Sequence, residues 1–321
     1  MEDNSKFKRL LVTGGAGFIG SEYVRSSLSG TLYGGKPEKI TVVDSLTYAG
    51  NKKRLSEVWD NKEFAFVQAD VRDQGVISEL IDAHDVVIHF AAESHVDRSI
   101  ENSQDFIETN VLGTHRVLHA AREFNKTVVL ISTDEVYGSI NEGAANEQTI
   151  LNPSSPYSAS KASADLLALS FVTTYGLDVR VTRCVNNYGK YQDLEKLIPK
   201  IVHNLRSGLK IPLYGTGLNV RDWIHTKDHC DAIARVLHIG APGEIYNIGG
   251  DESYSNIELA YILLSYFNLE KDQIEFVQDR LGHDMRYAVD SSKIKSQLDW
   301  KPRHRLTDSI SEIEKGIVFL S

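Results

Sequence analysis

A short apolar run, Leu10-Leu11-Val12-Thr13, passes directly into Gly14-Gly15-Ala16-Gly17-Phe18-Ile19-Gly20 and then into a helical pattern. A strand that closes on glycines and reopens as a helix leaves few folds available. Glycine permits the tight turn, lets a pyrophosphate approach backbone N–H groups at the helix N-terminus, and lets helix lie close to strand. Glycine-rich turns occur in many folds. Placed between a strand and a helix near the start of the chain, Gly14, Gly17 and Gly20, with Phe18 and Ile19 inside the same turn, read as a dinucleotide cradle.

The rest of the first half repeats this rhythm. Ile40 to Asp44, Phe64 to Gln68, Val86 to Phe90, Val128 to Ser132 and Val179 to Arg183 are rich in β-branched residues and too short for helices, so they read as buried strands. Between them, Ser103 to Phe124 and Pro156 to Tyr175 carry apolar residues at helical spacing. The alternation predicts an α/β fold, a doubly wound Rossmann parallel sheet covered on both faces. Beyond Cys184 the glycines multiply, with helices predicted near Lys196 to Leu205 and at Asn256 to Phe267. The expected organisation is a dinucleotide-binding domain over 1–185, with 222–248 returning to it as a helix and strand, and a smaller α/β lobe built mainly from 186–321.

The second strand ends in Asp44, where a carboxylate accepts hydrogen bonds from an adenosine ribose and repels a 2′-phosphate, selecting NAD over NADP. The alternative is a turn-initiating aspartate before Ser45. Asp70-Val71, after the third strand, reads as an adenine contact or as a helix cap.

Tyr157 and Lys161 stand four apart on a predicted helix and share one face. A free tyrosine, with a pKa of about 10, is a poor base at neutral pH. A neighbouring ammonium is expected to favour the phenolate, so that the pair can take a proton from a hydroxyl while hydride leaves the same carbon.

Charge narrows the partners. A formal net charge of −9 disfavours binding to nucleic acid or an anionic membrane surface, so an anionic substrate must be met by a local basic cluster. Cys184 and Cys230 lie far apart and outside any CxxC pattern, which argues against a disulfide framework and fits a reducing compartment. Met1 to Lys6 carries acidic residues with no apolar run behind it, unlike a signal peptide, and runs such as Leu166 to Val172 are too short to cross a bilayer. A cytoplasmic enzyme is expected.

In chain order, TGGAGFIG at 13–20, HFAAESHVDRS at 89–99, STDEVYG at 132–138, SPYSASKASAD at 155–165, NVRDWIHTKDHC at 219–230 and DRLGHDMRY at 279–287 resemble the extended short-chain dehydrogenase/reductases over almost the whole chain. Within that group the chain is similar to the dTDP-glucose 4,6-dehydratase family. The resemblance implies a Rossmann domain, a smaller nucleotide-sugar-binding lobe, tightly held NAD, and a homodimer built on two long helices. It places Ser45, Leu46, Thr47, Phe90, Ala91, Ala92, Ser94, Thr109 and Asn187 around NAD, with Tyr157 and Lys161.

Asp134 and Glu135, directly after Thr133, discriminate within the group, because relatives that only epimerise or oxidise C4 lack this acid pair. Once C4 is a ketone, a base must take the acidified C5 proton and an acid must protonate the departing C6 hydroxyl. Two carboxyl groups in different environments divide those roles. By resemblance Glu135 is the base at C5 and Asp134 the acid at C6; Tyr157 deprotonates the 4-hydroxyl and Thr133 bonds the developing carbonyl. The bland alternative is a polar strand end capping the next helix. The expected product is a nucleotide 4-keto-6-deoxyglucose, with NAD consumed and regenerated in each turnover.

Ser94, Thr133, Asn186 and Asn187 match positions near the sugar and nicotinamide; Lys196, Leu197, Arg221, Asn256, Arg280 and His283 match positions that hold the nucleotide and its diphosphate. Arginine suits a diphosphate because its fork donates two parallel bonds, and a solvated surface charge is the alternative for Lys196 and Arg280. His225 and His229 stand four apart beside Cys230, but no further ligand follows at a recognised spacing, so no metal is expected there. The chain departs from the family where Lys190, Asp193 and Leu194 replace the usual proline and aromatic residues, which predicts a more mobile loop near the sugar. It also stops at Ser321, where relatives continue with an aromatic-rich tail. A UDP-sugar 4-epimerase or decarboxylase of the same fold is separated from the dehydratase only by the acid pair. A non-catalytic NAD(H) sensor is disfavoured by the intact Tyr157-Lys161 pair.

Overall fold

The computed structural model describes residues 7–320; Met1 to Lys6, with its expected lack of a signal-peptide pattern, and Ser321 lie outside the described residues. The six apolar runs form β1 (Arg9–Thr13), β2 (Lys39–Asp44), β3 (Phe64–Gln68), β4 (Val86–His89), β5 (Thr127–Thr133) and β6 (Val179–Cys184), each within one residue of its predicted span at either end. Later in the chain come β7 (Asn186–Tyr188), β8 (Ile211–Tyr214), β9 (Val220–His225), β10 (Ile245–Ile248), β11 (Glu252–Ser255) and β12 (Ile274–Val277). A seven-stranded sheet runs in the order β10-β6-β5-β4-β1-β2-β3, with every pairing parallel.

The side-chain period of two along each strand sends alternate residues to opposite faces, and both faces are buried. Leu10, Val12, Ile40 and Val42 pack beneath α1 (Phe18–Leu28). Leu11, Val43, Val87, Val128 and Leu130 pack on the other face under α2 (Gln74–Asp82). Next come α3 (Val96–Glu101), α4 (Gln104–Phe106), α5 (Thr114–Glu123) and α6 (Pro156–Tyr175). The predicted helix over 103–124 is one rod with an interruption, since Ile107–Gly113 between α4 and α5 winds as a π-helix. Pro156 at the first turn and reciprocal bonds between Ser155 and Ser158 start α6, and Gly176, in the left-handed region at φ 67°, stops it.

The second half contributes α7 (Leu197–Arg206), α8 (Thr226–Ile239), α9 (Asn256–Phe267), α10 (Ser292–Gln297) and α11 (Leu306–Leu320). β10 extends the large sheet beside β6, and α8 packs on the same face as α1 through Ile233, Val236 and Leu237. The remaining strands form two small sheets, β11-β9-β7 and β12-β8. Their separate core joins α7, α9 and α11 through Ile198, Val202, Leu259, Leu263, Ile310 and Ile313. No described helix is long and apolar enough to cross a membrane. Cys184 and Cys230 are buried free thiols.

Strand order reverses between β1 and β4, and ligands of open α/β sheets bind outside the carboxyl ends of strands at such a point. Residues at that end of the sheet and residues of the second half line one cleft, which holds the candidate site.

Candidate active site

All the expected site residues except Leu46 and Asp134 line one cleft of about 1440 Å³. At its floor Gly14 has φ +68°, and a Cβ there would sit 2.6 Å from the Ala91 backbone nitrogen, so only glycine lets β1 and the Phe90-Ala91 strand end meet. Gly17 begins α1 without a side-chain cap, which leaves the first-turn N–H groups for an anion. Asp44 ends β2 and accepts from Ala16 N at 2.9 Å and from Leu46 N at 2.8 Å. It forms the turn and also lines the cleft. Leu46 does not face the cleft: its backbone, at φ 57°, bonds Asp44 while its side chain packs on the core. Asp70 is paired to Arg72 at 2.8 Å, and the cap of α2 is Asp73. These residues suit a dinucleotide: a tight backbone cradle, helix N–H groups without a side-chain cap and a carboxylate at the end of β2 beside them.

The chemistry-bearing groups converge from the end of β5 and the start of α6. Tyr157 and Lys161 are 9% and 4% exposed. Lys161 donates to Ile131 O at 2.7 Å, and burial pulls its pKa down to about 8. The expected lowering of Tyr157 by this ammonium is not found. Burial and the nearby Glu135 charge raise the phenol, with a Thr133 hydrogen bond opposing them, because Lys161 points its charge at the β5 carbonyl.

Thr133 Oγ1 accepts from Glu135 N at 3.3 Å, so threonine, not the acid pair, caps the short 3₁₀ turn Asp134–Tyr137. Asp134, 2% exposed, is not itself exposed to the cleft that Thr133 and Glu135 on either side of it line; its Oδ1 accepts from Thr133 Oγ1 at 3.2 Å and its Oδ2 is buried without a partner. Burial, reinforced by Glu135, holds Asp134 well above the ordinary carboxylate range. Burial also raises Glu135, but Arg280, Lys196 and Arg221 oppose it. The two neighbouring acids thus differ in environment, Asp134 raised by burial and by Glu135, Glu135 raised by burial but opposed by three cations.

Those cations form the local basic cluster that the net charge demands. Arg221 donates to the carbonyl oxygens of Val220 and Asp284 and lies 4.2 Å above the Tyr287 ring. Arg280 faces Asp97 at 3.7 Å and keeps a buried Nε–H without a partner. Lys196 donates to Ser94 O at 3.0 Å across the cleft, and burial lowers its pKa. His283 bonds Asp279 at 2.6 Å, and Asn256 opens α9. Lys196 and Arg280 are thus not merely solvated surface charges. Of the histidine pair, His225 meets Glu312 at 2.5 Å and His229 meets Asn187 at 2.9 Å.

Sequence reading missed several neighbours. Asn110, buried in the π-helical stretch, donates to Glu93 O and Ser160 Oγ and so ties the Ser94 loop to α6. Tyr48, Arg98, Tyr214 and Tyr287 also line the cleft. Only proximity in the folded chain reveals them.

The loop expected to be mobile is anchored by its unusual residues. Arg54, 2% exposed, donates to Asp193 at 2.5 Å, to Tyr191 O at 3.0 Å and to Ala49 O and Ala16 O beside the glycine turn. Lys190 and Tyr191 both bond Glu57. Asp193 is therefore a tether between the sugar-side loop and the dinucleotide turn. Asp193→Asn is expected to loosen both ends: NAD retained through gel filtration falls, and KM rises more than kcat changes. Leaving the buried Arg54 charge poorly matched costs about 1–3 kcal/mol. Unchanged retention and KM would show the tether to be idle.

Residues 11–313 match the family model described as GDP-mannose 4,6 dehydratase. A dTDP-glucose 4,6-dehydratase of Streptomyces niveus is 49% identical over 305 residues, 95% of this chain and 91% of that protein. Another from Streptomyces antibioticus is 51% identical over 304 residues, 94% of this chain and 90% of that one. The solved structure of DesIV, the dTDP-glucose 4,6-dehydratase of Streptomyces venezuelae with NAD and TYD bound, superposes with a TM-score of 0.93 at 49% identity, covering 97% of this chain and 96% of that one.

Proposed function

This chain belongs to the GDP-mannose 4,6-dehydratase family and, we propose, divides the dehydration of dTDP-glucose to dTDP-4-keto-6-deoxyglucose among five residues, Thr133, Asp134, Glu135, Tyr157 and Lys161. The observation that carries this division is the acid pair at the end of β5, one carboxyl raised by burial and by its neighbour, the other raised by burial but opposed by Arg280, Lys196 and Arg221, beside Tyr157. Gly14, Gly17, the first turn of α1 and Asp44 would hold NAD, which would supply a hydride acceptor for C4, a hydride donor for C6 and a positively charged ring.

Tyr157 takes the proton of the 4-hydroxyl, and Thr133 Oγ1 bonds the oxygen as it becomes a carbonyl. Lys161 holds positive charge at the β5 end behind the phenol. With C4 oxidised, Glu135 removes the C5 proton, and Asp134 protonates the C6 hydroxyl so that it departs as water. Glu135 is assigned the base because Arg280, Lys196 and Arg221 oppose the burial that raises it; Asp134 is assigned the acid because burial and the neighbouring Glu135 raise it well above the ordinary carboxylate range. Arg221, Arg280, Lys196, His283 and Asn256 hold the diphosphate and nucleoside. The buried, unpartnered Nε–H of Arg280 supports that reading, since an anion would complete it.

Incubation with dTDP-glucose and no added NAD tests the function. A 4-keto product, seen by its ultraviolet absorbance after alkali, is expected; clean formation of the galactose epimer would overturn it.

The proposed division is a dinucleotide domain of 1–185 joined by 222–248, with a nucleotide-sugar lobe formed mainly by 186–321. A homodimer is supported by apolar residues left exposed along the α4–α6 face, Ile107, Leu112, Leu166 and Tyr175. The two buried free thiols suit the cytoplasm.

A further inference from the structure

Glu135 is linked to the protein surface by side chains that the dehydration steps leave unused. The Tyr287 hydroxyl lies 3.5 Å from Glu135 Oε2 and donates to Asp284 Oδ2 at 2.6 Å. The same Asp284 oxygen accepts from Ser154 Oγ. Tyr287 and Asp284 are 4% and 8% exposed, whereas Ser154 is exposed, so the line begins in the buried site and ends at solvent. Arg221 fixes its middle, lying over the Tyr287 ring at 4.2 Å and donating to the Asp284 carbonyl at 2.8 Å.

Resting on the assignment of Glu135 as the C5 base, we propose that Tyr287 and Asp284 are a proton relay that connects Glu135 with solvent at Ser154. After Glu135 has taken the C5 proton, its O–H passes that proton to the Tyr287 oxygen while the Tyr287 O–H passes its own to Asp284. Glu135 returns to carboxylate, Tyr287 remains a phenol and Asp284 becomes the carboxylic acid, which gives its proton to water beside Ser154. The reverse sequence brings a solvent proton to Glu135 and from there to C5. No phenolate forms, so the burial that keeps the Tyr287 proton in place does not oppose the transfer.

The relay decides which proton C5 receives. With it, the proton taken from substrate is exchanged for one from solvent while the intermediate is held; without it, the same proton goes back. The test is turnover of dTDP-glucose in D₂O, quenched early with borohydride so that the C4 ketone cannot enolise in solution, with C5 deuterium read by NMR. The unaltered enzyme is expected to give product deuterated at C5. In Tyr287→Phe the C5 deuterium falls severalfold and substrate protium is retained, whatever happens to rate, and Asp284→Asn does the same from one station further out. A structural role for either side chain would change rate or stability without changing the isotope ratio. Undiminished C5 deuterium in both variants, or none in the unaltered enzyme, overturns the relay. Glu135→Gln separates the two readings: C5 exchange in that variant overturns Glu135 as the base, whereas its loss there, with full exchange in Tyr287→Phe and Asp284→Asn, overturns the relay alone.

Discussion

Tyr157→Phe is expected to bind NAD and nucleotide sugar yet lose turnover by at least about 10²- to 10⁴-fold, the usual contribution of a positioned base. The ring packs edge-on against Phe106 with centroids 6.2 Å apart, a contact that phenylalanine keeps, and Gly14, Gly17 and Asp44 lie on other elements. What disappears is the group that takes the 4-hydroxyl proton. Because the C5 proton becomes acidic only once C4 is a ketone, the variant should show neither the near-ultraviolet absorbance of reduced nicotinamide nor C5 exchange with solvent. Substantial C5 exchange in Tyr157→Phe would mean that another group deprotonates the 4-hydroxyl, and the mechanism would be wrong.

Glu135→Gln should stop the reaction one step later. The amide is nearly isosteric and its backbone N–H still bonds Thr133, so oxidation at C4 continues in part while elimination falls by about 10²- to 10⁴-fold. Transient absorbance of reduced nicotinamide without 4-keto-6-deoxy product is the expected signature in rapid mixing. Normal product formation would remove Glu135 from the chemistry. A variant that oxidises nothing would show that its charge acts before elimination.

The two variants rest on features of different visibility in the sequence. The glycine turn, the strands and α6 were legible because each is written locally: β-branched runs make the strands, and Pro156 and Gly176 bracket the helix. The acid pair was legible as chemistry but not as geometry. That Asp134 is buried beside a cleft that Thr133 and Glu135 line follows from the 3₁₀ turn, which no residue pattern announces. The Tyr157-Lys161 spacing led to the wrong electrostatic expectation, because spacing does not reveal that Ile131 O claims the ammonium. The Arg54–Asp193 tether joins residues 139 apart in sequence, so the substitutions that make it read as a loosened loop until the fold brings them together.

The π-helical stretch Ile107–Gly113 acts as a gear between the two halves of its rod. Each residue of a regular helix advances the heading by about 100°, so one extra residue in a turn resets the phase of everything beyond it. Upstream, Phe106 faces the Tyr157 ring; downstream, Val117, Leu118 and Ala121 face the sheet. The two headings are compatible only through the widened turn. Removing one residue from it would leave a more regular helix whose ends no longer mesh, swinging Phe106 away from the phenol by about a quarter turn. The length of this segment is therefore locked as firmly as any side chain it carries, and a single-residue deletion here is a graver lesion than most substitutions along the same rod.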